Sequence, residues 1–229
     1  MTATPATAAT LSPTPRSTLG RHAERGRTDR AELHDVLDAG LVCHLGFVAD
    51  GAPVVLPTAY GRDGDVLYLH GSSGAGYLMR EELPACVTVT HLDGLVHARA
   101  VFSFSMNYRS AVAHGTARPV TDDSDDGEKL RALRTIVEHL TPGAWEHARP
   151  PTRRELAATT VLALDLGEAS VKVRSGPPAD DDADVTADAA WAGVLPVRTV
   201  LGTPEPAPDL ATPRAVPEHV ARRAEHVPG

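Results

Sequence analysis

Length, composition and charge narrow the classes of protein to consider. The chain has 229 residues, enough for one domain with a substantial core and extensions. Its formal net charge of -8 argues against a nucleic-acid surface, because such surfaces need clustered Lys and Arg. Cys43 and Cys86 lie in apolar runs, as expected for reduced thiols in a cytoplasmic protein. The sequence shows neither a secretion signal nor a membrane span, so we expect no membrane partner.

The two ends of the chain differ in composition from its middle. The first residues are rich in Thr, Ala and Pro, and proline becomes frequent again near the carboxyl terminus. Such segments offer no apolar face for a core. We therefore expect a disordered extension over residues 1–19, a folded domain over 20–201 and a Pro-rich tail over 202–229.

The folded part is predicted to begin with a helix from Asp29 to Ala39. Asp29 and Glu32 have the spacing of a capping box, and Gly40 can end the helix. Beyond Leu41 the pattern changes to strands, with Asp-Gly pairs that favour hairpin turns at 50–51, 63–64 and 93–94. Antiparallel strands are predicted over Val42–Val48, Pro53–Tyr60, Val66–His70, Cys86–Leu92, Leu95–Phe104 and Val112–Val120.

The second half of the chain supplies helices that can cover a barrel. A helix is predicted over Glu128–Leu140, a short helix over Arg153–Ala158 and a last long strand over Val161–Val173. The predicted fold is mainly β with capping helices, built as an antiparallel six-stranded β-barrel that closes on itself.

His70 is the most informative single residue. It follows the strand-like run Val66–Leu69 and precedes a glycine-rich loop, residues 71–76, that lacks any cation; the first one is Arg80. A phosphate-binding loop normally adds Lys or Arg to its backbone donors, so this pattern favours ligation through the imidazole. The alternative is an ordinary strand-to-turn junction with a polar cap.

Several motifs in order resemble the pyridoxamine 5'-phosphate oxidase-like split-barrel family. They are the segments at 41–47, 67–72, 87–95, 105–110 (Ser-Met-Asn-Tyr-Arg-Ser) and 191–196 (Trp-Ala-Gly-Val-Leu-Pro). The resemblance runs from about Gly20 to Pro208. It implies a six-stranded split barrel, a homodimer, and cofactor sites at the shared interface. Most members bind FMN, and some bind haem.

The chain departs from the flavin-binding pattern at two places. Gly76 stands where an Arg or Lys is usual, and Ser103-Phe104 stands where a His pair is common. Arg99, Arg109 or Lys172 could compensate. A retained His70 beside a depleted phosphate loop is similar to the haem-dependent piperazate synthases, a branch of this family that forms an N–N bond within N5-hydroxy-L-ornithine.

The resemblance implies roles for particular residues. His70 is the expected axial ligand of haem b and the catalytic residue, with FMN as the alternative cofactor. Arg109 could pair a propionate, a phosphate or a substrate carboxylate, or form an ordinary ion pair. The other residues expected at the cofactor are Ser72, Ser73, Tyr77, Met106 and Asn107.

Three functional hypotheses follow. The first is a homodimeric haem enzyme that converts an N-hydroxylated amino acid into L-piperazate. The second is an FMN-dependent oxidoreductase, and the third is a haem- or flavin-binding carrier or sensor without turnover. The remaining histidines are scattered over different strands, so the sequence does not support a zinc site.

Overall fold

A computed structural model describes residues 9–11, 13–72, 82–124 and 127–225, with Ser72 described by its backbone alone. None of the helices in these ranges has the length and apolar character needed to cross a bilayer. The helices are α1 (Arg30–Ala39), α2 (Glu128–Leu140), α3 (Arg153–Ala158), α4 (Asp182–Ala187) and α5 (Glu218–Glu225). The strands are β1 (Gly26–Arg27), β2 (Cys43–Ala49), β3 (Ala52–Thr58), β4 (Tyr60–Asp63), β5 (Val66–Ser72), β6 (Leu83–His97), β7 (Ser105–Pro119), β8 (Thr159–Asp165), β9 (Glu168–Arg174) and β10 (Gly193–Pro196).

The strands form one curled antiparallel sheet. Its main path is β3-β2-β6-β7-β8-β5-β4, with β9 and β10 paired beside β7 and β6, and β1 beside β9. The prediction that the barrel closes on itself is wrong for the described residues, because no hydrogen-bonded ladder joins the end strands β3 and β4. These two strands are instead consecutive in the chain, separated only by Ala59. A single bent ribbon thus connects the two halves of the sheet.

The core lies between the sheet and α1, with α2 on another side. Leu33, Val36 and Leu37 of α1 are buried, which confirms the predicted apolar stripe. Asp29 accepts a hydrogen bond from the amide of Ala31 at 2.9 Å and so caps this helix. Ile136 of α2 packs in a second apolar cluster. Each fully buried Leu or Ile contributes about 1.5–3 kcal/mol to folding.

The predicted hairpin at Asp93-Gly94 is wrong. β6 runs through this point from Leu83 to His97, with a β-bulge between Leu92 and Gly94. The turn at Asp50-Gly51 is confirmed, because both residues have positive φ, 49° and 79°. Gly94 has no positive φ; a Cβ there would instead lie 2.9 Å from Val194, so this glycine admits β10.

Other predicted strand boundaries also change. The expected strand Val161–Val173 is divided into β8 and β9, and the side chain of Asp165 accepts a hydrogen bond from the amide of Gly167 at 2.7 Å in the turn between them. Pro53–Tyr60 spans β3 and the start of β4. Sequence periodicity did not reveal these breaks because both sides of each break are rich in β-forming residues.

Both ends of the chain make contacts with the domain. Leu11 and Ser17 are buried against it, so packing begins before the expected boundary at residue 20. In the Pro-rich tail, Arg223 of α5 donates a hydrogen bond to the carbonyl oxygen of Leu140 at 2.9 Å. The division into 1–19, 20–201 and 202–229 stays an expectation.

Candidate functional site

His70 lies near the end of β5 with its side chain exposed. Its neighbour Leu69 is buried in the main core, so the imidazole lies on the opposite face of β5, which it shares with Tyr68 of the second apolar cluster. The hydroxyl of Thr58 donates a hydrogen bond to the carbonyl oxygen of His70 at 3.1 Å, which ties the end of β3 to this strand. Among the described residues the imidazole has no hydrogen-bond partner.

The structure describes only some of the residues that follow His70. Gly71 and the backbone of Ser72 continue β5 opposite Thr160 and Thr159 of β8. The side chain of Ser72, and Ser73 and Tyr77 entirely, lie outside the described residues. Their predicted cofactor contacts stay predictions.

Met106, Asn107 and Arg109 lie together at the start of β7. Asn107 is 8% exposed; it donates to the carbonyl oxygen of Gly176 at 3.1 Å, and its own oxygen accepts a hydrogen bond from Arg174. Its amide group thus already has protein partners on both sides. Met106 is half-exposed at 51%.

Arg109 forms a two-pronged ion pair with Asp93. Its Nε and Nη2 lie 3.1 and 2.9 Å from the two carboxylate oxygens. This is the ion-pair alternative considered for Arg109 from the sequence. The carboxylate of Asp93 neutralises the guanidinium charge at the bulge of β6. The side chain of Arg109 is 29% exposed.

Within one chain, His70 and the start of β7 are far apart along the sheet. His70 lies opposite Val161 of β8, and the carbonyl of Val161 accepts a hydrogen bond from the amide of Val120 at 2.8 Å. Val120 follows Arg109 by 11 residues, about 36 Å along an extended strand. The predicted site residues therefore fall into two places on the chain.

Arg109 lies instead beside a cavity that we call the α1–β6 groove. Its volume of about 680 Å³ is within the range of ordinary cofactor and ligand sites, about 300–1,000 Å³. The groove is formed by the end of α1, by β6 and by the segment after β10, and its lining residues are Ala39, Gly40, Leu41, Val42, Val89, Thr90, His91, Leu92, Asp93, Arg109, Pro196, Val197, Arg198 and Thr199.

Two histidines fix the wall of this groove at the end of α1. Nε2 of His91 lies 2.9 Å from the carbonyl oxygen of Val36, and Nε2 of His139 lies 2.6 Å from that of Gly40. A carbonyl oxygen can only accept, so each Nε2 carries the proton and donates it. Burial lowers the pKa of His139, which favours its neutral form.

Gly40 is a place where only glycine fits. A Cβ there would lie 2.6 Å from the hydroxyl oxygen of Tyr60 and 2.6 Å from a methyl carbon of Val89. Tyr60 is fully buried, and its hydroxyl donates a hydrogen bond to the carbonyl oxygen of Leu37. Burial also raises the pKa of Tyr60, so this hydroxyl stays protonated. The groove wall is thus rigid.

The three cations suggested as substitutes at a phosphate site all have protein partners. Arg99 contacts Asp180 at 3.1 Å and Asp188 at 2.8 Å. The ammonium of Lys172 donates a hydrogen bond to the carbonyl oxygen of Arg21 at 2.9 Å. With Arg109 held by Asp93, each of these cations would have to give up a contact to bind a phosphate.

Sequence reasoning missed most of the groove. His91 was left without a role, and Gly40 was treated only as a helix stop. The sequence shows only that His91 and Asp93 are two residues apart, and the other groove residues come from distant segments. No cluster of three or more His, Cys, Asp or Glu suited to a metal ion is found among the described residues.

Comparison with known proteins identifies the family. A family model for pyridoxamine 5'-phosphate oxidase matches residues 29–173 of the chain. The chain is similar to the structure of the FAD and Heme binding protein from Mycobacterium smegmatis, with 40% identity, a TM-score of 0.81, and coverage of 87% of this chain and 97% of that one.

A second solved structure is equally similar. It is the Flavocytochrome Anf3 from Azotobacter vinelandii, with 39% identity, a TM-score of 0.84, and coverage of 93% of this chain and 98% of that one. No curated protein matches the chain. The agreement of the family model, the two structures and the sequence motifs leads to one conclusion. The chain belongs to the pyridoxamine 5'-phosphate oxidase-like split-barrel family.

Proposed function

We propose that the chain is a haem-binding redox protein that also binds a flavin, with His70 as the axial ligand of the haem. The observation that carries this proposal is the exposed imidazole at the end of β5, which has no hydrogen-bond partner among the described residues. The names of the two similar proteins support it, since one is an FAD and haem binding protein and the other a flavocytochrome.

The residues around His70 suit an axial ligand. The backbone is held on one side by β8 and on the other by Thr58, so the imidazole starts from a fixed strand position. Gly71 has no side chain to keep a flat group away. A bound haem would supply one-electron and oxygen chemistry, while the protein sets its potential through the ligand and the surroundings.

The flavin need not use the phosphate site of the FMN-binding relatives. Arg99, Arg109 and Lys172 are all engaged with protein groups, which weakens the case for FMN with its phosphate near these side chains. The name of the Mycobacterium smegmatis protein favours FAD over FMN. We therefore propose an oxidoreductase or electron carrier that uses haem together with FAD.

A homodimer is part of this proposal. Leu195, Leu95 and Met106 lie directly opposite one another across β10, β6 and β7, so their side chains share one face of the sheet. They are 55%, 41% and 51% exposed, and nearby Phe102 is 97% exposed. A second copy that covers this apolar face would remove it from water.

A cytoplasmic location also stays a prediction.

The second candidate is the haem-dependent piperazate synthase reaction. It is favoured by the same free imidazole and by the three engaged cations, since neither feature needs a flavin. In N5-hydroxy-L-ornithine the α-amine would attack N5, the N–O bond would break, and water would leave without net oxidation. The protein would fold the substrate so that the two nitrogens meet, and would exclude other nucleophiles.

Cofactor counting tests the proposal. The wild type and the variants His70→Ala and His44→Ala would be loaded with haem, FAD and FMN together, and each cofactor counted per chain. His44 is a suitable control because it is also an exposed strand histidine. We expect haem and FAD in the wild type, with haem lost only from His70→Ala. Flavin without haem in all three proteins would contradict the proposal.

A second assay separates the two candidates. The haem-loaded protein, prepared without flavin, would be incubated with N5-hydroxy-L-ornithine, and the product followed by mass spectrometry. A product that has lost one water and contains the six-membered ring would favour the synthase. An unchanged substrate, together with reduction of the haem only after FAD is added to the same protein, would favour the redox protein.

A further inference from the structure

We propose that Lys129 of α2 binds a carboxylate of the haem that His70 ligates. This role rests on the proposed function, because it takes His70 as the axial ligand. Lys129 is one of only two lysines in the chain, and it comes from a segment distant from His70 in the sequence.

Lys129 is enclosed by the protein but has no partner for its charge. It lies on the buried stripe of α2 with Ala132 and Ile136, and it is only 9% exposed. Lysine is almost never buried to this extent unless it is paired. In the described ranges, its ammonium forms no ion pair or hydrogen bond, whereas every fully buried side-chain nitrogen or oxygen has a partner. The stem is therefore enclosed while the ammonium at its tip reaches the surface.

Lys129 and His70 lie on the same face of the sheet. His70 shares its face of β5 with Tyr68, which belongs to the second apolar cluster. Ala132 and Ile136 of α2 pack in the same cluster, so α2 covers the face on which the imidazole lies. Because Lys129 belongs to the same stripe of α2, its stem lies against this face as well.

The first turn of α2 lies close to His70 along the sheet. The amide of Lys129 donates a hydrogen bond to the carbonyl oxygen of Asp122 at 3.0 Å. Two residues earlier, the amide of Val120 donates to the carbonyl oxygen of Val161 at 2.8 Å, and Val161 lies opposite His70. Val120 is thus two strands from His70, about 10 Å at the usual strand spacing. A helical side chain leans toward the amino end of its helix, which directs Lys129 toward this place.

The two acidic side chains beside this turn already have other partners. Glu128 accepts hydrogen bonds from Arg118 and Tyr68. Asp122 accepts hydrogen bonds from the hydroxyl of Ser124 and from the amide of Glu128. A carboxylate from a bound ligand would give Lys129 the charge-assisted contact that these groups do not provide. Haem carries such carboxylates at the rim of its ring, away from the iron that His70 would bind.

The test compares haem with haem dimethyl ester, in which both carboxylates are blocked. The affinity of each for the full chain would be measured by titration of the Soret absorbance for the wild type, Lys129→Met, Lys129→Arg and Lys172→Met. Methionine keeps an unbranched apolar stem but removes the charge. Lys172→Met is the matched control, because it makes the same change at the other lysine, whose ammonium already donates to the carbonyl oxygen of Arg21. Thermal unfolding would verify that each variant is folded.

We expect Lys129→Met to bind haem about 10-fold more weakly than the wild type, the effect of losing one charge-assisted hydrogen bond. The same variant should bind the dimethyl ester as the wild type does. Lys129→Arg should recover most of the affinity for haem, and Lys172→Met should bind as the wild type does. Equal affinity of Lys129→Met and the wild type for haem would overturn the proposal. So would an equal loss of affinity for haem and for its ester, because Lys129 would then act through packing alone.

Failure of this proposal is distinguishable from failure of the proposed function. Loss of haem from His70→Ala together with unchanged haem affinity in Lys129→Met would leave His70 as the ligand and overturn only the role of Lys129. Haem binding that is the same in His70→Ala and the wild type, or absent from both, would overturn the two proposals together.

Discussion

Replacing Gly40 by Ala should destabilise the protein through the wall of the α1–β6 groove. Gly40 has a φ of -87°, which alanine adopts without strain, so the effect must come from contacts. The new Cβ would lie 2.6 Å from both Tyr60 and Val89, and these are 0% and 1% exposed. Both side chains are buried, so a shift of either one disturbs the packing around it.

The magnitude follows from the two groups displaced. Overpacking costs about 1–3 kcal/mol, and a buried hydroxyl that loses its partner Leu37 costs about 1–3 kcal/mol more. The lower chain entropy of unfolded alanine returns about 0.4–1 kcal/mol. The free energy of unfolding should therefore fall by about 3 kcal/mol, and the Tm by about 6–12 °C for a chain of this length.

Differential scanning calorimetry would measure both quantities. Gly20→Ala is the matched control, because a Cβ at Gly20 would meet nothing within 4 Å. Its Tm should stay within about 2 °C of the wild type, since surface changes away from special features alter stability by about 0.5 kcal/mol or less. A Gly40→Ala protein that melts with the wild type would refute the reasoning about a rigid groove wall.

Three further predictions concern other contacts. Asn107→Ala should lower the free energy of unfolding, measured in urea titrations, by about 1–3 kcal/mol because Gly176 and Arg174 each lose a hydrogen-bond partner. Asn107→Asp keeps the acceptor for Arg174, so its free energy of unfolding should lie between those of the wild type and Asn107→Ala. Burial lowers the pKa of His139, so the unfolded chain binds a proton there more readily, and the free energy of unfolding should fall as the pH drops below about 6.5. The variant His139→Gln can still donate a hydrogen bond to Gly40 and should show a flatter dependence on pH. An unchanged dependence would contradict the assignment to His139. A hydrogen bond from Arg16, with a smaller effect from that of Thr14, lowers the pKa of Glu168 to about 2. Its contribution to stability is therefore present above pH 4.5 and is lost as the pH falls toward 2. In a carboxyl NMR titration, Arg16→Gln should raise the pKa of Glu168.

The sequence predicted those parts of the fold that depend on local signals. The helix α1 was recognised from its cap, its apolar stripe and Gly40, and the turn at Asp50-Gly51 from residues that tolerate positive φ. The same dipeptide at Asp93-Gly94 gave a wrong hairpin. There the long-range pairing of β6 with β7 and β10 prevails over local turn chemistry, and the dipeptide forms a bulge.

The site could be predicted less completely than the fold. The place of His70 at the end of β5 follows from the apolar run before it. Its exposure does not follow from strand alternation, because Leu67, Tyr68 and Leu69 are all buried. The pairing of Arg109 with Asp93 was anticipated only as one unspecified ion pair. Gly40, His91 and Arg198 come from separate segments, and only the folded chain shows that they line one groove.

The most direct test of the account is rescue of haem ligation by free imidazole. His70→Gly protein would be loaded with haem, and its absorption and electron paramagnetic resonance spectra recorded before and after adding imidazole. The account predicts that the spectrum of the variant differs from that of the wild type and returns to it with imidazole, because the free ligand replaces the missing side chain. A variant whose spectrum equals that of the wild type without imidazole would show that another residue binds the iron.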